Sequence, residues 1–166
     1  GSCVSVGPTT EKYFSKYFNS AVVEHNMKWG PFEENNGELA REQVNQARRL
    51  GAIYIRGHVM IMDYPKTGKG TVLLPDDLVA NYDNEAYVDE RVKNWIYRVS
   101  DDFAGEIYEW DVANELVGKE EKSTGSIYAN MGAEYYNKIY KWAREVNPES
   151  KLFLVEGRRI FDTQKK

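Results

Sequence analysis

The sequence predicts an α/β protein built on a parallel β-sheet. Short apolar segments rich in β-branched and aromatic residues alternate along the chain with segments of helical periodicity. Alternation of this kind favours parallel strands joined by right-handed crossovers. The chain has 166 residues, of which 42% are hydrophobic and 29% charged, so residues 1–166 are expected to form one domain with a sizeable core.

The fourth of five predicted strands is the most distinctive. It begins with β-branched and aromatic residues and ends on the polar pair Asn114-Glu115. The third strand meets Gly57-His58, after which the chain continues apolar as far as Met62. The five strands are predicted at residues 3–6, 20–24, 52–56, 107–114 and 151–156.

Four helices are predicted between these strands, at residues 9–17, 38–50 and 87–101 and within 127–147. Thr9 or Thr10 can cap the first helix, and Gly51 follows the second in the manner of a C-cap. Pro148 follows the last helix directly. Breaks or connecting segments are predicted at Gly30-Pro31, at residues 65–84 and 118–125, and in the polar tail 157–166.

Composition and motifs exclude several classes of function. The net charge of −4, without a basic stripe, argues against a nucleic-acid partner. No apolar run reaches the length of a membrane span, and the single cysteine, Cys3, excludes a disulfide within the chain. No glycine-rich phosphate loop follows a strand, and no His, Cys and Asp cluster has the spacing of a metal site. We therefore expect no cofactor and no metal.

Polar residues follow several of the predicted strands. Glu24 and Lys28 come after the second strand, His58 after the third, and Asn114-Glu115 at the end of the fourth. Ligands of parallel α/β folds bind at the edge where the strands end, so these residues are candidates for one site. A carboxylate at the end of an apolar strand also sits where desolvation can raise a pKa toward that of a general acid.

Each of these residues also has an ordinary structural interpretation. Glu115 can cap or form a salt bridge at a strand end, His58 can be a hydrogen-bonded core histidine, and Lys28 a solvated cation. Trp29 can cover the core instead of binding a sugar. The aromatic content of 13% fits either a core or sugar-stacking platforms. It is the convergence of the set at one sheet edge that favours a functional site.

Three segments carry a resemblance to a known family. They are Glu24-His25-Asn26-Met27-Lys28-Trp29, Arg56-Gly57-His58 and Trp110-Asp111-Val112-Ala113-Asn114-Glu115. Together they resemble glycoside hydrolase family 10, the endo-β-1,4-xylanases. Residues 127–154, which include Trp142-Ala143-Arg144-Glu145 and Asn147-Pro148, are similar to the fourth helix and fifth strand of that family. The resemblance extends through almost the whole chain, in the right order and spacing.

The resemblance implies a TIM (β/α)8 barrel, of which this chain supplies roughly the first five strands and four helices. It also implies retaining hydrolysis of xylan or a related β-glycan, with Glu115 as the general acid/base. Asn114 would bond the sugar 2-OH, while Lys28, His58 and Glu24 would hold other sugar hydroxyls. Because polymeric xylan does not readily enter cells, the resemblance implies a secreted, periplasmic or cell-surface protein.

The chain departs from the family pattern at three places. His25 and Asn26 stand where the family usually has Asn and Glu, and Met62 and Asp63 stand where it has Trp and His. Val155-Glu156-Gly157-Arg158 replaces Asn-Asp-Tyr-Asn. Loss of the Trp removes one wall of the sugar pocket. The departures therefore suggest a divergent member, with another β-glycan as a possible substrate.

Counting strands predicts that part of the barrel is absent. A barrel of this type has eight strands and about 250 residues. Retaining hydrolysis also needs a second carboxylate roughly 5 Å from the first, and the family takes it from the seventh strand. None of Glu24, Asp63 and Glu156 matches that position. We expect the rest of the barrel to come from a second polypeptide, a cleaved segment or further sequence, and this chain alone to be inactive.

Two other interpretations remain open at this stage. The altered pocket at Met62 and Asp63 fits a barrel relative that binds a glycan without cutting it. Without the resemblance, the same pattern fits a self-contained, doubly wound α/β domain with an unknown ligand.

Overall fold

Five parallel strands form one sheet in which neighbours in sequence are neighbours in space. The computed structural model describes residues 1–5, 7–118, 121 and 124–157. The strands are β1 (Ser2–Cys3), β2 (Ser20–Val23), β3 (Tyr54–Met62), β4 (Glu109–Asn114) and β5 (Lys151–Val155). Their order in the sheet is β1-β2-β3-β4-β5, and every pair is parallel.

In the described part of the chain, four longer helices connect these strands and three shorter ones lie in the intervening segments. The longer ones are α1 (Pro8–Tyr17), α3 (Glu38–Arg49), α5 (Glu85–Asp102) and α7 (Tyr135–Val146). The shorter ones are α2 (Trp29–Glu34), α4 (Asp76–Val79) and α6 (Ile127–Met131), and a 3₁₀ turn covers His25–Met27. Of the described helices, none is long and apolar enough to cross a bilayer.

The sequential strand order decides between the two sheet architectures. A doubly wound sheet reverses its strand order at a switch point, which places helices on both faces. Here every crossover moves one strand in the same direction, and right-handed crossovers then leave all connecting helices on one face. The burial of β2 follows this arrangement, because Ala21 and Val23 are buried while Ser20 and Val22 are only partly so. The doubly wound interpretation is therefore wrong.

The third strand is longer than the sequence predicted. Gly57-His58 was expected to end it, yet β3 continues through both residues to Met62. Glycine is necessary at position 57, because a Cβ there would lie 2.3 Å from the ring of Trp110 on β4. The glycine therefore permits close strand packing instead of breaking the strand. The β3–β4 register shifts between His58 and Ile61.

Other boundaries also differ from the prediction. Gly30 and Pro31 lie in the first turn of α2, where a proline costs no helical hydrogen bond. The helical region predicted within residues 127–147 is interrupted at Gly132, which has a φ of 84°. The connecting segment 65–84 contains α4. Parts of three predictions lie outside the described residues, at residue 6, within the loop 118–125 and in the tail beyond residue 157.

The core between the sheet and α5 is aromatic. Trp29 and Trp95 stack with their ring centroids 5.3 Å apart, and Phe32 meets Trp95 edge-on. The indole Nε1 of Trp95 donates to the carbonyl of Met60 over 2.7 Å, which ties α5 to β3. Trp29 is fully buried, so it covers the core and offers no face to a sugar. This confirms the structural interpretation of Trp29.

Substitution of Gly57 by alanine should destabilise the protein by about 1–3 kcal/mol, because the added methyl group overpacks against Trp110. Urea unfolding of the variant measures this loss. Gly68→Ala is the matched control, since a Cβ at position 68 meets nothing within 4 Å. Equal stability of the two variants would contradict the close packing of Gly57 against the Trp110 ring.

Candidate active site

The carboxyl ends of the strands converge at one edge of the sheet. Parallel pairing sets Met62 of β3 beside Asn114 of β4, and Asn114 beside Val155 of β5. Glu24 follows the last residue of β2 at the same edge. His58 does not follow β3 as the sequence suggested, because it lies within the strand, paired with Asp111.

Asp111 is the buried centre of a hydrogen-bonded group on β3 and β4. His58 Nδ1 lies 2.7 Å from Asp111 Oδ2. The other carboxylate oxygen, Oδ1, accepts from Arg56 Nε over 2.9 Å and from a terminal nitrogen of the same guanidinium. The Arg56 guanidinium also stacks over the ring of Phe153, 3.9 Å from its centroid. Only 3% of Asp111 is exposed. The group therefore fixes the plane and orientation of the His58 ring.

The electrostatics of this group favour a charged carboxylate. Burial acts to raise the pKa of Asp111, but hydrogen bonds and charge from His58 and Arg56 outweigh it and lower the pKa. An ionised carboxylate only accepts hydrogen bonds, so it orients the proton of the His58 ring onto Nδ1. The opposite nitrogen, Nε2, is then left to bind a ligand.

Glu24 and Lys28 form a second polar pair near His58. Lys28 Nζ lies 3.4 Å from Glu24 Oε1, and the Lys28 side chain is mostly buried while that of Glu24 is half-exposed. Partial burial is the largest single influence and acts to raise the pKa of Glu24, but the charge and hydrogen bond of Lys28, a hydrogen bond from Cys3 and the charge of His58 together lower the pKa. Lys28 is therefore an ion-paired side chain at the predicted site, not a solvated cation.

Glu115 leaves β4 in an unusual backbone conformation. Its φ is 56°, in the left-handed region, and its N–H donates to the carbonyl of Val155 over 2.9 Å. The side chain is exposed, so the described residues do not provide the desolvation expected at the end of an apolar strand. A Cβ at Gly157 would lie 3.9 Å from Glu115 Oε1, so the glycine leaves space beside the carboxylate. Burial and then the charge of Glu115 raise the pKa of Tyr64.

Asn114 and Met62 pack together at the same edge. Asn114 is buried, and its Nδ2 lies 3.1 Å from the sulfur of Met62. The thioether therefore occupies the space beside Asn114 on the inner side of the strand ends. The polar face of the amide is restricted in orientation by this contact.

Two further carboxylates near the strand ends have structural partners. Asp63 is fully buried and accepts backbone hydrogen bonds from Ile127 over 2.7 Å and from Tyr128 over 3.0 Å, at the start of α6. Glu156 accepts hydrogen bonds from the backbone N–H groups of Leu116 and Val117. Sequence reasoning considered both only as poor nucleophiles and missed these bonds.

The structure pairs Glu24 with Lys28 after β2, holds His58 on β3 against Asp111 of β4, and places Asn114 and Glu115 at the end of β4. Sequence reasoning did not assign roles to Arg56 and Asp111. An aspartate between the apolar residues Trp110 and Val112 was the available signal, because an isolated buried carboxylate requires a partner on a neighbouring strand. In the part of the chain that is described, no three His, Cys, Asp or Glu side chains are grouped to hold a metal ion.

Comparisons of the sequence relate the chain to known proteins. The family model "Glycosyl hydrolase family 10" matches residues 2–158. An endo-1,4-β-xylanase A of Thermotoga maritima is 30% identical over 168 residues, covering 92% of this chain and 15% of the relative. A β-1,4-xylanase of Dictyoglomus thermophilum is 30% identical over 151 residues, covering 86% of this chain and 40% of the relative. The chain therefore spans less than half the length of these relatives.

Solved structures show the same fold. A family 10 xylanase of Thermobacillus composti superposes with a TM-score of 0.71 at 22% identity, covering 94% of this chain and 45% of that structure. Xylanase 10B of Thermotoga petrophila, crystallised in complex with xylobiose, superposes with a TM-score of 0.72 at 21% identity, covering 89% of this chain and 44% of that structure. The five strands are therefore part of a TIM barrel, as the sequence predicted.

Acid should destabilise the protein through Asp111. Its pKa is lower in the folded chain than in the unfolded one, so its stabilising contribution is complete above the unfolded value of about 3.9 and is lost as the pH falls through the folded value. Asp111→Asn should lower the free energy of unfolding by about 1–3 kcal/mol at neutral pH. It should also reduce the loss of stability that the parent shows as the pH falls. Urea unfolding between about pH 6 and pH 2.5 measures both effects.

The exposed Asp83 provides the matched control for that experiment. Asp83→Asn should leave the stability at neutral pH within about 0.5 kcal/mol of the parent. If the parent and Asp111→Asn lost the same stability between neutral and acid pH, the lowered pKa of Asp111 in the folded chain would be contradicted.

Proposed function

Because the chain belongs to glycosyl hydrolase family 10, we propose that it forms the first part of a retaining glycosidase that cleaves xylan or a related β-1,4-glycan. The observation that carries the proposal is the position of Glu115. It leaves β4 next to Asn114, at the sheet edge where ligands of parallel α/β folds bind, and the His58–Asp111 pair lies earlier on the same two strands. The family match covers this entire region.

Glu115 is the proposed general acid/base. In the first step its carboxyl group donates a proton to the glycosidic oxygen while a second carboxylate attacks the anomeric carbon, so the leaving sugar departs as an alcohol. In the second step Glu115 takes a proton from water, which attacks the glycosyl–enzyme ester and releases the sugar with its original anomeric configuration. The second carboxylate belongs to the remainder of the barrel.

The other residues at the edge are proposed to hold the sugar. Lys28 and Glu24 present a cation and a carboxylate, which donate to and accept from sugar hydroxyls. His58 presents Nε2 because Asp111 occupies Nδ1. Asn114 would bond the sugar 2-OH. The xylobiose complex of the Thermotoga petrophila relative supports a β-1,4-xyloside as the first substrate to test.

A glycan-binding protein that does not hydrolyse its ligand is the second candidate. Asp63 is buried as a backbone acceptor for α6, so it is not available to a sugar. Met62, packed on Asn114, offers a flexible thioether where the family usually has an indole. A pocket altered in this way retains hydrogen-bonding groups but loses one rigid wall.

We also propose export of the complete protein, to the cell surface, the periplasm or the medium. A polymeric glycan does not cross a membrane, so an enzyme that cleaves it has to meet the polymer outside the cytoplasm. The proposal follows from the substrate class alone.

Glu115→Gln in the complete enzyme should lower kcat/KM on xylan by about 10²–10⁴-fold, because the amide can neither donate the proton nor accept it. Reducing-sugar release measures the loss. Glu149→Gln, at an exposed position near the opposite end of β5, is the matched control and should retain parental activity. NMR of the first product should show the β-anomer, as retention requires.

Other outcomes of this experiment decide between the candidates. An active Glu115→Gln variant would exclude the acid/base role, and a first product with the α-anomer would indicate inversion. Binding of xylo-oligosaccharides by calorimetry, with no sugar released by the parent enzyme, would identify the second candidate.

The remainder of the barrel should be needed for a stable, active protein. β1 and β5 each pair with a strand on one side only among the described residues, and Leu154 on β5 is 55% exposed. Open edges and apolar faces of this kind promote association. Residues 1–166 alone should therefore aggregate or oligomerise, and should not hydrolyse xylan. Sedimentation and intact mass measure this, and a stable 19.2 kDa monomer would contradict it.

A further inference from the structure

The side chain of Glu156 bonds to the backbone that follows Glu115. Its Oε1 accepts one hydrogen bond from the N–H of Leu116 and a second, over 3.0 Å, from the N–H of Val117. Glu156 itself comes directly after β5. The two bonds therefore join the end of β5 to the segment that leaves β4. An ionised carboxylate is a strong acceptor for such bonds, because it carries a full charge.

The backbone of Glu115 needs such support. Its φ of 56° lies in a region that residues other than glycine adopt rarely, and that persists only when the surroundings hold it. The N–H of Glu115 is bonded to the carbonyl of Val155 over 2.9 Å. The next two N–H groups are bonded to Glu156. Three successive peptide groups are thus tied to the end of β5.

We propose that Glu156 is a positioning residue that fixes the direction in which the Glu115 side chain projects from the carboxyl edge of the sheet. The inference rests on the proposed function, because it matters only if Glu115 transfers a proton. Both hydrogen bonds at Glu156 Oε1 come from main-chain donors, so this oxygen acts on the backbone that follows Glu115. Loss of the Glu156 side chain would remove two of the three hydrogen bonds that tie the N–H groups of residues 115–117 to the end of β5. The carboxylate of Glu115 would then sample orientations unsuitable for proton transfer.

This role differs measurably from that of a contact that only stabilises the loop. A positioning residue for a general acid affects substrates according to how much their leaving group needs a proton. A phenoxide needs that proton and a 2,4-dinitrophenoxide does not, since it is stable as an anion. Loss of a contact that only stabilises the loop would change kcat/KM equally for both substrates.

The test uses the complete enzyme with phenyl and 2,4-dinitrophenyl β-xylobiosides and compares kcat/KM, which reports the first bond cleavage. Glu156→Ala should lower kcat/KM for the phenyl substrate about 10–100-fold and for the dinitrophenyl substrate less than about threefold. Glu156→Gln keeps an oxygen acceptor and should stay within about fivefold of the parent on both. Glu149→Ala removes the same charge elsewhere and should change neither.

Two measurements complete the test. Glu115→Ala combined with Glu156→Ala should be no slower on the phenyl substrate than Glu115→Ala alone, because Glu156 acts through Glu115. Hydrogen–deuterium exchange of the peptide covering residues 114–118 should be faster in Glu156→Ala than in the Glu149→Ala control. Should Glu156→Ala fail to fold, Glu156→Gln serves in its place: within its limit of about fivefold, its loss on the phenyl substrate has to exceed its loss on the dinitrophenyl substrate.

Equal losses on both substrates, or additive effects in the double variant, would overturn the positioning role while leaving Glu115 as the acid/base. Unchanged exchange at residues 114–118 would overturn it independently of activity. A parent enzyme that cleaves neither xyloside would instead reject the proposed function, and the positioning role with it.

Discussion

The parallel pairing of β3 with β4 determines the arrangement of the whole site. It sets His58 beside Asp111 and Met62 beside Asn114, and it depends on the close contact of Gly57 with Trp110. Any shift of this pairing by one residue would turn Asp111 away from Arg56 and His58 and toward the apolar helix layer. The cost of burying an unpaired carboxylate therefore enforces the register from which Glu115 leaves β4.

The inner face of the sheet is polar as well as apolar. Arg56 is paired with Asp111, and Lys151 Nζ lies 3.0 Å from Glu109 Oε1. These pairs combine two cations with two anions, so covering this face with further strands buries no net charge from them. Charges buried as hydrogen-bonded pairs are tolerated in a protein interior, whereas a single unpaired one is not.

Sequence patterns predicted the alternation of strands and helices because apolar periodicity is a local property. They missed the continuation of β3 and the start of α2, since Gly57 and Gly30-Pro31 are breakers by composition and are permitted only by their surroundings. At the site, Glu24, Lys28, His58, Asn114 and Glu115 could be named from position and resemblance. The partners Arg56, Asp111 and Glu156 could not, because their contacts cross 39 to 55 positions of sequence and depend on strand register.

Asp63 joins the end of β3 to a segment distant in sequence. Its two bonds to the first turn of α6 make the residue at this position part of the scaffold. A neutral histidine introduced there has a single acceptor nitrogen, so it would leave at least one of those backbone donors unsatisfied. A substitution at position 63 therefore has to be accompanied by a change at the start of α6. Positions 63 and 127 depend on each other in this way although they lie 64 residues apart in the sequence.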